Sequence, residues 1–180
     1  MQNGYDVSED ISRDFRALFE QHKDKVYSIA LRYSGDPAAA MDIAQDTFLK
    51  LMGRMDQYRG EASFEAWLYR IVVNACLDHR RGNRRFQPLV DGFLDLFRSS
   101  KESALDDLLN DEMRQQVQDV VAKLPPEQRM VVILRYTEGL PYEEIAEILG
   151  ISKGTVASRL NRAHKILERR LHGVRGTKYA

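Results

Sequence analysis

Apolar positions recur every three or four residues along this chain, and short polar breaks divide the pattern into helices. After a polar, acidic start (Met1–Asp10) expected to be disordered, Ile11, Phe15, Leu18, Phe19, Val26, Ile29 and Tyr33 predict a first helix, and Ser34-Gly35 breaks it. Asp36 caps a second helix through Met41, Ala44, Phe48, Leu49 and Met52. Pro37 suits its first turn, where a missing N–H costs nothing. The loop MDQYRGEAS leads to a third helix from about Phe64 to Arg81, with Phe64, Trp67, Leu68, Ile71, Val72 and Ala75 as its core stripe. Gln87–Lys101 has the Pro, Gly and Ser of a linker. Its apolar residues Leu89, Val90, Phe93, Leu94, Leu96 and Phe97 predict a short docking helix within it. Ser103 and Asp106 resemble a capping box for a helix carrying Leu105, Leu108, Leu109, Met113, Val117, Val120, Val121 and Leu124, which Pro125-Pro126 ends. Glu127–Thr137 forms another, with Met130, Val131, Ile133 and Leu134 inside. No segment alternates at period two long enough to be a strand. The predicted fold is therefore all-α, two small helical bundle domains (1–86 and 105–180) joined by a linker (87–104).

The stretch LPYEEIAEILGISKGTVASRLNRAHKILERR, Leu140 to Arg170, is a helix-turn-helix. Tyr142, Ile145, Ala146 and Leu149 give its first helix one apolar face, and Gly150 stops that helix by accepting a left-handed backbone. Ser152 caps the second helix, whose inward stripe is Val156, Leu160, Ala163 and Leu167. Thr155, Ser158, Arg159, Arg162, Lys165 and Arg169 fall on the other side. That face offers hydroxyls, guanidinium forks that fit guanine O6 and N7 or a phosphate, and an ammonium that neutralises phosphate. Gly154 leaves the helix N-terminus open to a phosphate. The bland alternative is a helical hairpin with a solvated basic face. The coincidence of the turn glycine, Val156 as an apolar plug between the helices and the one-sided basic stripe argues against it.

Charge sharpens this picture. The 180 residues hold 27 basic and 27 acidic side chains, which excludes a globally basic coat. From Lys153 onward, however, eight basic residues face Glu168 alone. The positive field is thus concentrated at the C-terminal end. Arg80, Arg81, Arg84 and Arg85 form a second basic cluster after the third helix, and Arg70, Asn74 and Arg81 share a flank of that helix. Tyr58, Phe64, Trp67 and Tyr69 are nearby candidates for stacking on unpaired bases, with Trp67 better placed in the core. Asp42 and Asp46 make a small acidic face on the second helix, which alone reads as solvated surface. A single cysteine, Cys76, excludes an internal disulfide, and the four histidines lack metal-ligand spacing, so no cofactor or metal is expected. The start is unlike a secretory signal and no apolar run could span a bilayer, so a cytoplasmic chain without membrane insertion is expected.

DIAQDTFLKLM followed by SFEAWLYRIVVNACLDHRR resembles the sigma-2 domain of extracytoplasmic-function (ECF) sigma factors of RNA polymerase, and LPPEQRMVVILRYTEGLPYEEIAEILGISKGTVASRLNRAHKIL resembles their sigma-4 domain. The resemblance covers nearly the whole chain. It implies binding to core RNA polymerase and promoter DNA, with no bond-making chemistry in the chain itself. Asp42, Gln45 and Asp46 would meet the clamp helices of the largest polymerase subunit. The loop with Tyr58, Arg59, Gly60 and Glu61, together with Arg70 and Asn74, would read the −10 element, where a base is flipped into a pocket. Arg80, Arg81, Arg84 and Arg85 would hold phosphates there. Ser152, Lys153, Thr155, Ser158, Arg159, Arg162 and Lys165 would engage the −35 element. The linker would thread toward the RNA path.

The chain departs from the family pattern in three places. Ala157 stands where many relatives carry arginine, Pro141 where a capping serine is common, and the linker is more apolar than a mimic of RNA should be. Many relatives are held by an anti-sigma factor, but no residue here identifies one. The rival reading, a helix-turn-helix regulator binding duplex operators as a dimer, gives the first 86 residues no role. An enzyme is disfavoured because the chain has no GxxxxGK, HExxH or GxSxG motif.

Overall fold

A computed structural model describes residues 7–58, 63–80, 82 and 111–176, with side chains described from residue 15 to 171 within those segments, apart from 56 and 111–116. Among the described residues seven α-helices follow in order: α1 (Val7–Ser34), α2 (Pro37–Met52), α3 (Phe64–Arg80), α4 (Asp111–Ala122), α5 (Pro126–Val132), α6 (Tyr142–Leu149) and α7 (Lys153–Gly176). A 3₁₀ turn at Met55–Gln57 precedes α3, and α5 continues as a π-type turn at Ile133–Thr137. Among the described residues there is no strand, and the all-α fold is as predicted. α1 begins at Val7, so Val7–Asp10, expected to be disordered, is helical. Adding turns to a long, already nucleated helix costs little. The predicted linker helix and the capping box at Ser103 and Asp106 lie outside the described residues.

The first bundle packs α1 on α2 and α2 on α3. Phe19, Val26 and Ile29 of α1 meet Ile43, Phe48 and Leu51 of α2 in a fully buried core. The Phe19 and Phe48 rings lie edge to face at 4.7 Å, an arrangement that adds about 1 kcal/mol to their burial. The tight corner between α1 and α2 comes from Gly35, left-handed at φ 72°, whose N–H donates to the Leu31 carbonyl at 2.8 Å. Asp36 then caps α2 by accepting the Ala39 N–H at 3.0 Å.

In the second bundle α7 packs against α4, α5 and α6. Val156, Leu160 and Ala163 are its buried stripe, as the periodicity indicates. The π-type turn holds α6 in place, because Arg135 donates to the Leu140 carbonyl at 3.0 Å and lies 5.4 Å over the Tyr142 ring. α6 buries Ile145 and Ile148, leaving Tyr142, Ala146 and Leu149 half-buried. Its apolar face is therefore rotated from the predicted one.

The two bundles also touch. α3 packs on α6, and α1 on α4 and α5, so one buried cluster runs through both. This explains why Tyr69, Val73 and Cys76 are buried although the predicted stripe of α3 omits them. A helix covered on several sides has no single apolar face.

Gly150 ends α6 with φ 63°, and a Cβ built there would meet nothing within 4 Å. Gly150→Ala should therefore cost about 1–2 kcal/mol through backbone conformation alone, and Gly150→Asn clearly less. Urea denaturation measures both. Equal losses would mean that the left-handed turn is not the reason for the glycine.

Candidate nucleic-acid interface

The outward face of α7 follows from its inward one. With Val156, Leu160 and Ala163 buried, Arg162 and Lys165 point to solvent, and Asn161 beside them is exposed as well. The Ser152 hydroxyl accepts the Thr155 N–H at 3.1 Å and hydrogen-bonds the Thr155 hydroxyl at 2.8 Å, which caps α7 and half-buries Thr155. Ser158 donates to the Thr155 carbonyl at 3.0 Å. Lys153 pairs with Glu143 of α6. Arg159 is only 21% exposed and its guanidinium lies 2.8 Å from the Glu127 carboxylate of α5. Of the three arginines on the predicted face, Arg162 and Arg169 are thus exposed and Arg159 already has an acidic partner. Asn161 was missed by sequence reasoning. Its position three residues beyond Ser158 and four before Lys165 is the signal that could have found it.

In the first bundle, Asn74 is exposed on α3 and Arg70 is half-buried. The Arg70 Nε is buried without a hydrogen-bond partner among the described residues. Arg80 is exposed, while Arg81, Arg84 and Arg85 lie outside the described residues, as do Arg59, Gly60 and Glu61 of the loop. Tyr58, just before that loop, is half-buried, with its ring 5.2 Å from Trp67 and 5.7 Å from Phe64. Trp67 is also half-buried rather than a full core residue. Tyr69 corrects the expectation that it offers a stacking surface. It is 5% exposed, and its hydroxyl donates to Glu138 at 2.9 Å, because α3 is covered by the second bundle at that point. Burial and then the Glu138 carboxylate push the Tyr69 pKa well above its ordinary value.

On α2, Asp42 is exposed, but Asp46 is bound to Lys50 at 2.8 Å. Lys50 also reaches Asp78 of α3 at 3.1 Å. Burial works against the Lys50 ammonium, yet the two carboxylates outweigh it and raise its pKa. Gln45 does not stand at the surface as expected. At 9% exposure it lies on the inner side of α2 with Ala44 and Phe48. Among the described residues no His, Cys, Asp and Glu group could hold a metal ion, and no helix is long and apolar enough to cross a membrane.

Comparison with known proteins matches Sigma-70 region 2 over residues 18–86 and Sigma-70 region 4 over residues 114–167. The RNA polymerase sigma-H factor of Pseudomonas aeruginosa is 32% identical over 88% of this chain and 86% of its own length. The chain belongs to the ECF-type RNA polymerase sigma factors. The ECF RNA polymerase sigma-E factor of Escherichia coli K12 is 34% identical over 87% of this sigma factor, which covers 86% of it. The ECF sigma factor SigE of Mycolicibacterium smegmatis is 38% identical over 83% of the chain, which spans 58% of that relative's length. Among solved structures, CnrH in complex with the cytosolic domain of CnrY superposes with a TM-score of 0.63, at 26% identity and 90% coverage of both chains. RpoE of Bartonella quintana, in complex with the anti-sigma factor NepR, shares the fold with a TM-score of 0.66 at 23% identity, over 89% of this chain and 98% of that one. Two sigma regions in this order make promoter recognition the function and leave no ground for the operator-binding rival.

Two measurements follow from this geometry. Arg162→Ala should weaken −35-dependent transcription by the loss of a contact worth about 1–3 kcal/mol if the side chain reads a base, with helical circular dichroism unchanged. Normal transcription would remove Arg162 from the reading face. His22 is 5% exposed and 5.3 Å from the Phe64 ring. Burial first, and Lys25 next, lower its pKa below 6.5, with Glu65 opposing. The folded state therefore prefers the neutral ring, a contribution complete above pH 6.5 or so and lost as pH falls through the lowered value. Wild type should lose more stability than His22→Gln between pH 7 and pH 5 in denaturant titrations. Parallel losses would refute this.

Proposed function

We propose that the chain works as a two-handed reader held by core RNA polymerase, with residues 1–86 as the −10 and clamp-binding domain, 87–104 as the linker and 105–180 as the −35 domain. The observation that carries the −35 assignment is the exposed edge of α7. Arg162 and Lys165 stand outward from a buried stripe that begins just after a left-handed glycine turn. In the major groove Arg162 would read a guanine edge or hold a phosphate, Lys165 would hold a phosphate, and Ser152, Lys153, Thr155 and Ser158 would anchor the N-terminal turn. Arg159 would exchange Glu127 for DNA.

In the first domain, Asn74 and Arg70 are the −10 readers. The orphaned Arg70 Nε supports this, since a buried donor lacking a partner gains most from a ligand. The ring cluster of Tyr58, Phe64 and Trp67 borders the loop of Arg59, Gly60 and Glu61, and that loop is the pocket for the flipped base. Arg80, Arg81, Arg84 and Arg85 hold the strand. Asp42 is the exposed carboxylate facing the polymerase clamp, with Asp46 beside it and Gln45 positioning the helix from inside. The chain contributes binding rather than bond-making, and it acts in the cytoplasm, where the polymerase is. The anti-sigma complexes of the structurally similar factors make an anti-sigma factor a natural partner here too.

Run-off transcription with core polymerase, with and without the chain, tests the whole reading. Initiation is expected only when the chain is present. On a library randomised across the −10 element, exchanging the loop at 57–63 for that of another family member should change the preferred base. An active swapped protein with unchanged preference would place the specificity on Arg70 and Asn74 instead.

A further inference from the structure

The outward face of α7 has two flanks of different chemistry. At about 100° per residue, with Val156, Leu160 and Ala163 buried, Ser158 and Lys165 stand opposite the core, and Arg162 and Asn161 fall about 50° to either side of them. The Arg162 flank continues into Arg169, which is exposed, and Arg159, which is tied to Glu127. Their guanidinium groups can only donate. The Asn161 flank carries Ala157 a turn earlier and His164 a turn later.

Among the described residues of this face, Asn161 alone carries an uncommitted planar head with both a donor and an acceptor. Its neighbours are turned elsewhere or are too short to engage it. Ser158 donates to the Thr155 carbonyl at 3.0 Å, a ring nitrogen of His164 hydrogen-bonds the Tyr136 hydroxyl at 2.7 Å, and Ala157 ends in a methyl group. In the major groove, a donor beside an acceptor matches adenine, whose N7 accepts and whose N6 amino group donates. Guanine presents two acceptors there, which suit Arg162 instead. Asparagine is short, so its helix must come close to the base edges. Ala157 leaves room for that approach, and its methyl suits the C5-methyl of thymine. Glu168, two turns beyond Asn161 on the same flank, ends the edge, because phosphates repel its carboxylate.

We propose that Asn161 is a specificity-determining residue of the −35 reader. It takes an adenine of that element by a bidentate pair, while Arg162 serves a guanine or a phosphate on the other flank. This rests on the promoter-reading function proposed above.

The test is transcription by the full chain with core polymerase from a promoter library randomised across the −35 element. Wild type should prefer adenine at one position by about fivefold or more, the lower end of what a bidentate pair discriminates. Asn161→Ala should flatten that preference and leave those at other positions intact, with helical circular dichroism unchanged because the side chain is exposed. Asn161→Asp, which exchanges the amide donor for a second acceptor, should turn the same position toward cytosine, whose amino group donates. A purely structural role would instead lower output from every sequence alike. Uniform loss in Asn161→Ala, an unchanged preference, or a flattened position whose preferred base was not adenine would each overturn the assignment. Should repulsion from phosphates silence Asn161→Asp, the alanine variant decides alone. A wild-type protein without preference anywhere in the −35 element would overturn the −35 reading itself, whereas a preference indifferent to Asn161 overturns only its role.

Discussion

The Arg129 guanidinium is the fixed point of the structure. It donates to the carbonyls of Ala122 and of Leu124, the latter at 3.1 Å, and so satisfies the backbone at the end of α4, where a helix leaves its last carbonyls unpaired. Its remaining contact goes to the Tyr33 carbonyl, the equivalent group at the end of α1. One half-buried cation therefore closes two helix ends in two bundles, and the partial negative charge of both termini suits it. Burial lowers the Arg129 pKa, and Arg80 nearby adds to this. A guanidinium tolerates that pressure where an ammonium would give up its proton, so lysine would be a poor substitute here.

Helix identity was legible wherever one face was buried and the other wet. The stripe Val156, Leu160 and Ala163, the cap at Asp36 and the turn at Gly150 are local features, set by spacing and by single side chains. The errors come from elsewhere in the chain. Tyr69 reads as a surface aromatic until α6 and Glu138 cover it, and Gln45 reads as an interface residue until the rotation of α2 turns it inward. The π-type turn at Ile133–Thr137 is equally hidden, because its apolar residues fit an ordinary helix equally well. The resemblance supplied what periodicity could not, namely which surfaces are expected to meet polymerase and DNA. It could not say which of their side chains already have partners.

Those partners divide the candidate residues into two kinds. Arg162, Lys165, Asn161 and Asn74 stand exposed on surfaces fixed by the core beneath them. Arg159, Lys153 and Asp46 are each tied to an opposite charge on a neighbouring helix or turn. Side chains of the first kind are ready for a ligand but flexible. Those of the second kind are held in place and must exchange one ionic partner for another.

If α7 reads DNA as proposed, the pair of Arg159 with Glu127 has a consequence for how binding responds to salt. An arginine that arrives at DNA from open solution displaces a condensed cation from the duplex, and that release is what makes binding fall steeply with ionic strength. Arg159 comes with its own carboxylate, so leaving Glu127 opposes the gain from meeting any phosphate it encounters. Only a site that offers more than bare charge, such as a well-aligned guanine edge, repays the exchange. In the proposed −35 role of α7, a carboxylate behind that helix would thus act as a filter against the great excess of random sequence, at the cost of some affinity for all of it.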